Sequence, residues 1–348
     1  MRRLINQSDS TWERLEGGFG KTAKAQTSAS AVQNDFDNIA PWKNIRSCDV
    51  SANGTVNAYI GDPTYNPTSP KGYIMTEVPE FWYKRQQTSG YEYIYISAVE
   101  QDGYKKATKR YVGKYDAGGS SSALTSKSGV APCVNITIAD ARTAAKKIGT
   151  NWGLLDIETW SIIQMLYLVE FADYNCQTKV GAGRSNSSSA INSGKMDSIG
   201  AKSGRLSSVE NGVVYRGMEN LWGNVYQWLD GVNFDNSTGQ AWISRKQSDY
   251  ASGKASSPYT KLGYKCPYDS GYVKEVGYDA NNPDIQLPKT YGGSDSTYIP
   301  DYSNSGSAVV YVGGSWGGGG RCGLWYFRSH STSASDSGIG CRLLFKPV

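Results

Sequence analysis

One strongly apolar segment constrains the fold of this chain more than any other feature. Its apolar residues recur at helical spacing and are Ile157, Trp160, Ile163, Leu166, Tyr167 and Phe171. They cover more than one face, so the segment predicts a helix that is buried between layers of structure. Asp156 is expected to begin this helix. Any fold for this chain must therefore place other elements on at least two sides of it.

The rest of the sequence predicts one further helix and many strands. Thr137 is a suitable N-cap for a helix that ends near Gly149. Residues 91–99 alternate tyrosines with glutamate and isoleucines, which is typical of a half-buried strand. Beyond Ala172 no sustained helical period remains. The predicted fold class is therefore α+β, with two helices packed on one or more antiparallel sheets.

Composition divides the chain into three predicted parts. Residues 1–40 are polar and rich in small residues, which favours an attachment or oligomerisation segment outside a core. Residues 41–129 form a β-rich N-terminal region with loops marked by Gly, Pro and Asn. Residues 130–348 hold both predicted helices and the most distinctive local motifs. We expect this last part to carry the function.

The ionisable residues exclude several classes of function. The single histidine, His330, removes most zinc chemistry and most hydrolytic triads. The six cysteines include no CxxC pair, and their wide gaps predict buried free thiols. A net charge of +5 without a run of Lys or Arg does not indicate nucleic-acid binding. We expect no membrane insertion, no secretory signal, no metal and no cofactor.

The C-terminal segment carries the strongest functional signal. Strand-like residues 309–312 and 339–345 enclose a stretch in which no hydrophobic period is visible. Trp, Tyr and Arg dominate binding hot spots, and Ser and Gly supply adaptable polar contacts. A glycine-rich loop that closes a sheet with its aromatic rings turned inward would have the same composition. The candidate ligand-binding residues are Gly317, Gly318, Arg321, Cys322, Trp325, Tyr326, Arg328, Ser329, His330 and Thr332.

Four short motifs follow the first predicted helix in a fixed order. They are LDIETW at 155–160, GNVYQW at 223–228, GGSW at 313–316 and GCR at 340–342. Together they resemble the formylglycine-generating-enzyme type of C-type-lectin fold. Within that group the chain is most similar to the variable proteins of diversity-generating retroelements. The resemblance implies a C-type-lectin-like domain over residues 130–348, with a variable segment at about 313–345 whose side chains change on a constant backbone.

The resemblance implies a binding protein and not an enzyme. Similar variable proteins include phage tail proteins and bacterial surface proteins, and those of the tail type commonly form trimers. We therefore expect a homo-oligomer, in a phage tail or on a bacterial surface, that binds a protein or glycan receptor on a cell. Two alternatives are an oxidase that uses Cys322 with Cys341 and a purely structural virion protein. The oxidase lacks support because glycines occupy 317–320, where the similar enzymes carry a close cysteine pair.

Overall fold

The structure is a computed structural model that describes residues 1–27, 32–206, 212–235, 237–266, 268–294, 299–303 and 308–347. The side chains of residues 300–303 lie outside this description. Strands account for 34% of the chain and helices for 15%, so the fold is mixed α+β and rich in sheet. The sequence predicted this fold class.

The N-terminal part of the chain forms two sheets and a small hairpin. A four-stranded sheet has the order β1-β6-β5-β7, and β8, β4, β2 and β3 lie side by side in a six-stranded sheet. The predicted half-buried strand is confirmed as β6, in which tyrosines alternate with buried Glu92 and Ile94. The strands are β1 (Arg2–Leu4), β2 (Arg46–Val50), β3 (Val56–Tyr59), β4 (Tyr73–Val78), β5 (Phe81–Thr88), β6 (Tyr91–Ser97), β7 (Lys105–Ala107), β8 (Arg110–Gly113), β9 (Gly118–Ser120) and β10 (Ala123–Thr125).

Two capped helices follow, as the sequence predicts. The Thr137 side chain accepts a hydrogen bond from the backbone N–H of Asp140, and that of Asp156 accepts one from Thr159. The first helix ends three residues before the predicted Gly149. The helices and the strand between the first two are α1 (Ile138–Lys146), β11 (Trp152–Leu154), α2 (Ile157–Phe171) and α3 (Cys176–Lys179).

The helix α2 is buried along almost its whole length. On one side it packs with Phe81 and Ile94 of the four-stranded sheet. On the other side, the Trp160 indole and the Gln164 amide both donate to the backbone oxygen of Leu324, at 3.1 and 2.7 Å. The prediction that this helix lies between layers is confirmed.

The C-terminal part contains a seven-stranded sheet with the order β19-β18-β20-β22-β21-β14-β23. In addition, β15, β16 and β17 form a three-stranded sheet, and β12 pairs with β13. The strands are β12 (Val214–Tyr215), β13 (Met218–Glu219), β14 (Tyr226–Leu229), β15 (Val232–Phe234), β16 (Gln240–Ile243), β17 (Thr260–Lys265), β18 (Ser270–Val276), β19 (Pro288–Tyr291), β20 (Ile299–Ser303), β21 (Val309–Gly313), β22 (Gly323–His330), β23 (Ile339–Gly340) and β24 (Leu343–Phe345).

The predicted division into three parts does not describe the packing. The six-stranded sheet joins the parts on either side of residue 129, because β24 pairs with both β8 and β11. Residues 1–40 are not a segment outside the core: β1 pairs with β6, and Trp12 and Phe36 are buried. An attachment or oligomerisation role for residues 1–40 stays a prediction.

All six cysteines are buried and none forms a disulfide bond, as the sequence predicts. No helix in the described residues is both long enough and apolar enough to cross a membrane.

Candidate functional site

The strand β22 lies in the middle of the C-terminal segment that contains the predicted site residues. It lies between β20, which runs parallel to it, and β21, which runs antiparallel. The sequence predicts no strand between residues 312 and 339, so the position of β22 within the sheet is a correction. Its beginning, Leu324 to Phe327, is a continuous apolar run, and such runs are typical of strands that are buried on both faces. That run was the signal available in the sequence.

One side of β22 faces the core beside α2. The Trp325 side chain is only 1% exposed, and its ring packs edge-on against Tyr174 at 4.8 Å and against Tyr167 at 5.8 Å between centroids. Just before the strand, the buried Cys322 thiol donates to the backbone oxygen of Ser315 at 3.3 Å. Burial raises the pKa of Cys322 to about 12, so this thiol stays protonated at neutral pH.

Five of the predicted site residues are therefore buried, and one of them is Tyr326, which is only 5% exposed. Trp325 and Cys322 belong to the core, and Ser329 and Gly318 are also buried. The physical reason is that β22 is an inner strand of the sheet, so half of its side chains pack against α2 and its neighbours. For these residues the inward-turned arrangement, which the sequence left open, describes the structure.

The opposite side of β22 carries a set of five polar and aromatic side chains, which we name the Tyr–Arg–His patch. The Tyr226 ring lies 4.5 Å from the Tyr311 ring and 5.5 Å from the Tyr326 ring, measured between centroids. The His330 ring lies 6.0 Å from that of Tyr311. Arg328 pairs with Tyr311 in the strand register and completes the patch. Tyr226, Arg328 and His330 are half-buried, so they form its accessible part.

The patch holds one fixed positive charge among neutral groups. Burial raises the pKa values of Tyr311 and Tyr326 well above the usual phenol range. Burial and then the charge of Arg328 lower the pKa of His330, so its imidazole is neutral at pH 7. The Nε of Arg328 has no hydrogen-bond partner among the described residues. This Nε is buried, so only the rest of the half-buried guanidinium can face a ligand. A guanidinium beside aromatic rings is suited to bind an acceptor group or a carboxylate of a ligand.

The chain after His330 folds back over part of the patch. The turn closes with a hydrogen bond from Ala334 N–H to Ser331 O at 3.1 Å, and Ala334 packs into the cluster that contains Tyr311 and Tyr326. Asn135 N–H donates to Asp336 O at 3.0 Å and ties the loop to the start of α1. The side chains that remain exposed on this loop are Ser331, Thr332, Ser333, Ser335, Asp336 and Ser337.

The structure separates the remaining predicted residues from the patch. Gly317 and Arg321 are exposed before the beginning of β22, whereas His330 and Thr332 lie at and beyond its end. A strand of this length spans about 23 Å, so these groups form two surfaces and not one. The structure thus brings together Tyr326, Arg328, His330 and Thr332 of the predicted set.

Two residues of the patch, Tyr226 and Tyr311, are not among the site residues predicted from the sequence. Tyr226 lies two residues before Trp228, and Tyr311 lies two residues before Gly313, inside or beside the motifs that were recognised. Residues two apart on a strand share a face, and Trp228 and Tyr226 both contact Tyr311. This spacing was the available signal, but it does not show which strands become neighbours.

A buried polar network lies beside β13 and β14, and β14 is the strand that carries Tyr226. The Asn224 amide donates to Asp116 at 2.9 Å, and Asp116 also pairs with Arg342 at 3.0 Å. The Glu219 carboxylate accepts from the backbone N–H groups of Gly194 and Met196, at 2.9 and 3.0 Å. Burial raises the pKa of Asp116 to about 6 and that of Glu219 to about 7.

The two raised pKa values predict that stability falls as the pH rises from about 5 to 7.5. Each carboxyl binds its proton more tightly in the folded chain than in the unfolded one, where pKa values are about 4. Their stabilisation is therefore fully present at low pH and is lost as the pH passes through 6 to 7. Urea unfolding across this range should show the slope, and Glu219→Gln should reduce it. An unchanged slope in that variant would contradict the assignment to Glu219.

These features define a β-rich α+β protein with a mixed aromatic and cationic patch on a sheet. No family model matches the chain, and no curated protein matches it. Among solved structures, it is similar to "Treponema denticola variable protein 1", with a TM-score of 0.32 and 12% identity over 82% of this chain and 98% of that chain. A likeness at this level assigns neither fold nor function, so the function is inferred from the site.

Proposed function

We propose that this chain is a ligand-binding protein and that its binding surface is the Tyr–Arg–His patch with the exposed loop 331–337. The observation that carries the proposal is the Arg328 guanidinium, which is half-buried among tyrosine rings and lies beside an exposed, serine-rich loop. Aromatic and arginine side chains on a fixed strand form rigid anchors, and the serines beside them supply adaptable contacts.

The proposal includes a C-type-lectin-like scaffold with a variable segment at about 313–345. Support comes from the difference in burial between the two ends of this segment and the loop between them. Its ends, β21 and β23–β24, are buried strands of two sheets, whereas Thr332, Ser333 and Ser335 are exposed. Exposed positions away from special features tolerate substitution within about 0.5 kcal/mol, so side chains could change there without loss of the fold. A near-copy of the coding sequence for this segment, differing at adenines and close to a reverse transcriptase, would test this part.

We further propose a protein or glycan receptor on a cell as the ligand, and a phage tail or a bacterial surface as the location, with the chain as a homo-oligomer. These expectations derive from the resemblance of the motifs. Neither alternative function has a supporting observation of its own. For the oxidase, Cys322 and Cys341 lie in different apolar clusters, and burial raises the pKa of both thiols.

Substitutions in the patch should abolish binding without unfolding the chain. We expect Arg328→Ala and His330→Ala each to weaken attachment of the labelled protein to whole bacterial cells by at least tenfold, since a hot-spot side chain contributes about 2 kcal/mol or more. A panel of bacterial species provides the cells. The matched control is Arg321→Ala, an exposed arginine at the other end of β22, which should bind like the wild type. Equal attachment of all three variants would refute the assignment of the patch.

A further inference from the structure

The four-stranded sheet exposes a second aromatic surface, far in sequence from the variable segment. Along β6, Tyr91, Tyr93 and Tyr95 point away from the core, whereas Glu92 and Ile94 are buried. Tyr104, from the chain just before β7, extends the row. We name these four residues the tyrosine ladder. Soluble sheets more commonly present charged or small polar side chains on their open face, so an aromatic row there calls for a function.

The rings of the ladder form a continuous row, in which the pairs at the two ends are tilted by 50° and 53°. The centroids are 6.1 Å apart for Tyr91 and Tyr93, 6.0 Å for Tyr93 and Tyr95, and 6.1 Å for Tyr95 and Tyr104. The Tyr93 and Tyr95 rings are parallel within 5°. The inner side of the same sheet packs on the core, so the backbone holds these rings at a fixed spacing. A regular row of aromatic rings suits a ligand that itself repeats and has apolar ring faces.

The charges beside the ladder are nearly balanced. Arg2 lies over the Tyr91 ring at 4.8 Å and forms an ion pair with Glu13 at 2.7 Å. On the neighbouring strands, Lys106 lies over the Trp82 ring at 5.4 Å and pairs with Glu80 at 2.8 Å.

At the other end of the ladder, Lys84 lies opposite Tyr95 in the strand register, and Glu16 supplies a carboxylate near Tyr95 and Tyr104. Burial and then the negative charge of Glu16 raise the pKa values of Tyr95 and Tyr104. A platform for single-stranded nucleic acid combines stacking rings with a positively charged groove that follows the phosphates. Here the cations that contact the rings are neutralised by carboxylates, which disfavours a polyanion.

We propose that the tyrosine ladder is a binding site for a neutral polysaccharide chain, separate from the patch on β22. The C–H faces of successive sugar rings would stack on the tyrosines, because an aromatic face is electron-rich and attracts polarised C–H groups. The paired Arg2–Glu13 and Lys106–Glu80 groups at the margins would accept and donate hydrogen bonds to sugar hydroxyls. This site is independent of the proposed function, since it uses other residues on another sheet.

The test is native gel electrophoresis of the full chain with dextran, laminarin, mannan or hydroxyethyl cellulose cast into the gel. We expect at least one of these neutral polysaccharides to retard the wild type, and Tyr93→Ala with Tyr95→Ala to weaken that binding at least tenfold. Tyr93→Phe keeps the ring and should retain binding. Tyr291→Ala is the control, because Tyr291 is 39% exposed and lies on another sheet.

Several outcomes would overturn the proposal. One is that none of the polysaccharides retards the wild type. Another is that the double alanine variant is retarded as much as the wild type, although circular dichroism shows that it is folded. Tyrosine-dependent binding of single-stranded oligothymidine would assign the ladder to nucleic acid instead. Self-association that the same variant abolishes, measured by analytical ultracentrifugation, would assign it to a second copy of the chain. Arg328→Ala should keep the polysaccharide binding, so failure of the patch and failure of the ladder can be distinguished.

Discussion

Replacing Trp325 by alanine should lower the free energy of unfolding by about 3–5 kcal/mol. The side chain is buried at the junction of β22, α2 and the segment around Tyr174, and it is in contact with two further aromatic rings. Its removal leaves a cavity that a packed interior closes only in part. Urea unfolding followed by circular dichroism measures the change.

The control for this prediction is Thr332→Ala in the same segment. Thr332 is exposed on the loop after β22, so its truncation should change stability by no more than about 0.5 kcal/mol. If Trp325→Ala instead kept the wild-type stability and lost only cell attachment, Trp325 would be a ligand contact. That result would restore the expectation from the sequence and contradict the packing described above.

The sequence predicts well those elements that local rules determine. The caps of Thr137 and Asp156 can be predicted because each capping hydrogen bond joins residues that are only three apart along the chain. The alternation in β6 is equally local, since period two assigns each side chain to a face before any partner strand is known.

The sequence predicts poorly what depends on distant partners. In β22 the register against β21 shifts sharply, because Val312 pairs with Phe327 while the next residue, Gly313, pairs with Gly323. An irregularity of this kind interrupts the alternation that would have shown which side chains are buried. The composition of the segment indicated binding, but only the strand neighbours divide its aromatic residues between core and surface.

The dependence on distant partners also explains why composition did not predict the packing of residues 1–40. A polar composition suggested a segment outside the core, yet few anchoring contacts are enough to place a short segment. Asn34 donates to Glu170 of α2 at 2.8 Å, and Glu170 is also paired with Arg216 at 2.7 Å. These partners are more than forty residues apart along the chain, so no local pattern indicates them.

The side chain of Arg342 is the most heavily bonded group near the candidate site. It is fully buried, and its guanidinium donates to the Gln227 side chain at 2.7 Å and to Asp116 at 3.0 Å. It also donates to the backbone oxygens of Gly113, Glu219 and Asn220 at 2.7, 2.6 and 3.1 Å. One residue thus joins the closing segment of the chain to β8, β13 and β14.

Replacing Arg342 by methionine should lower the free energy of unfolding by about 3–5 kcal/mol, because the buried Asp116 carboxyl and three backbone oxygens would lose their guanidinium donor. Arg342→Lys should recover little of this loss, since an ammonium group cannot supply the planar fork of donors. The double variant Arg342→Met with Asp116→Asn removes both charges, and we expect it to be more stable than Arg342→Met alone. Urea unfolding of these variants and of Asp116→Asn alone measures the coupling. If the double variant lost the sum of the two single effects, the Arg342–Asp116 pair would not be the source of the stability, and the backbone acceptors would account for it instead.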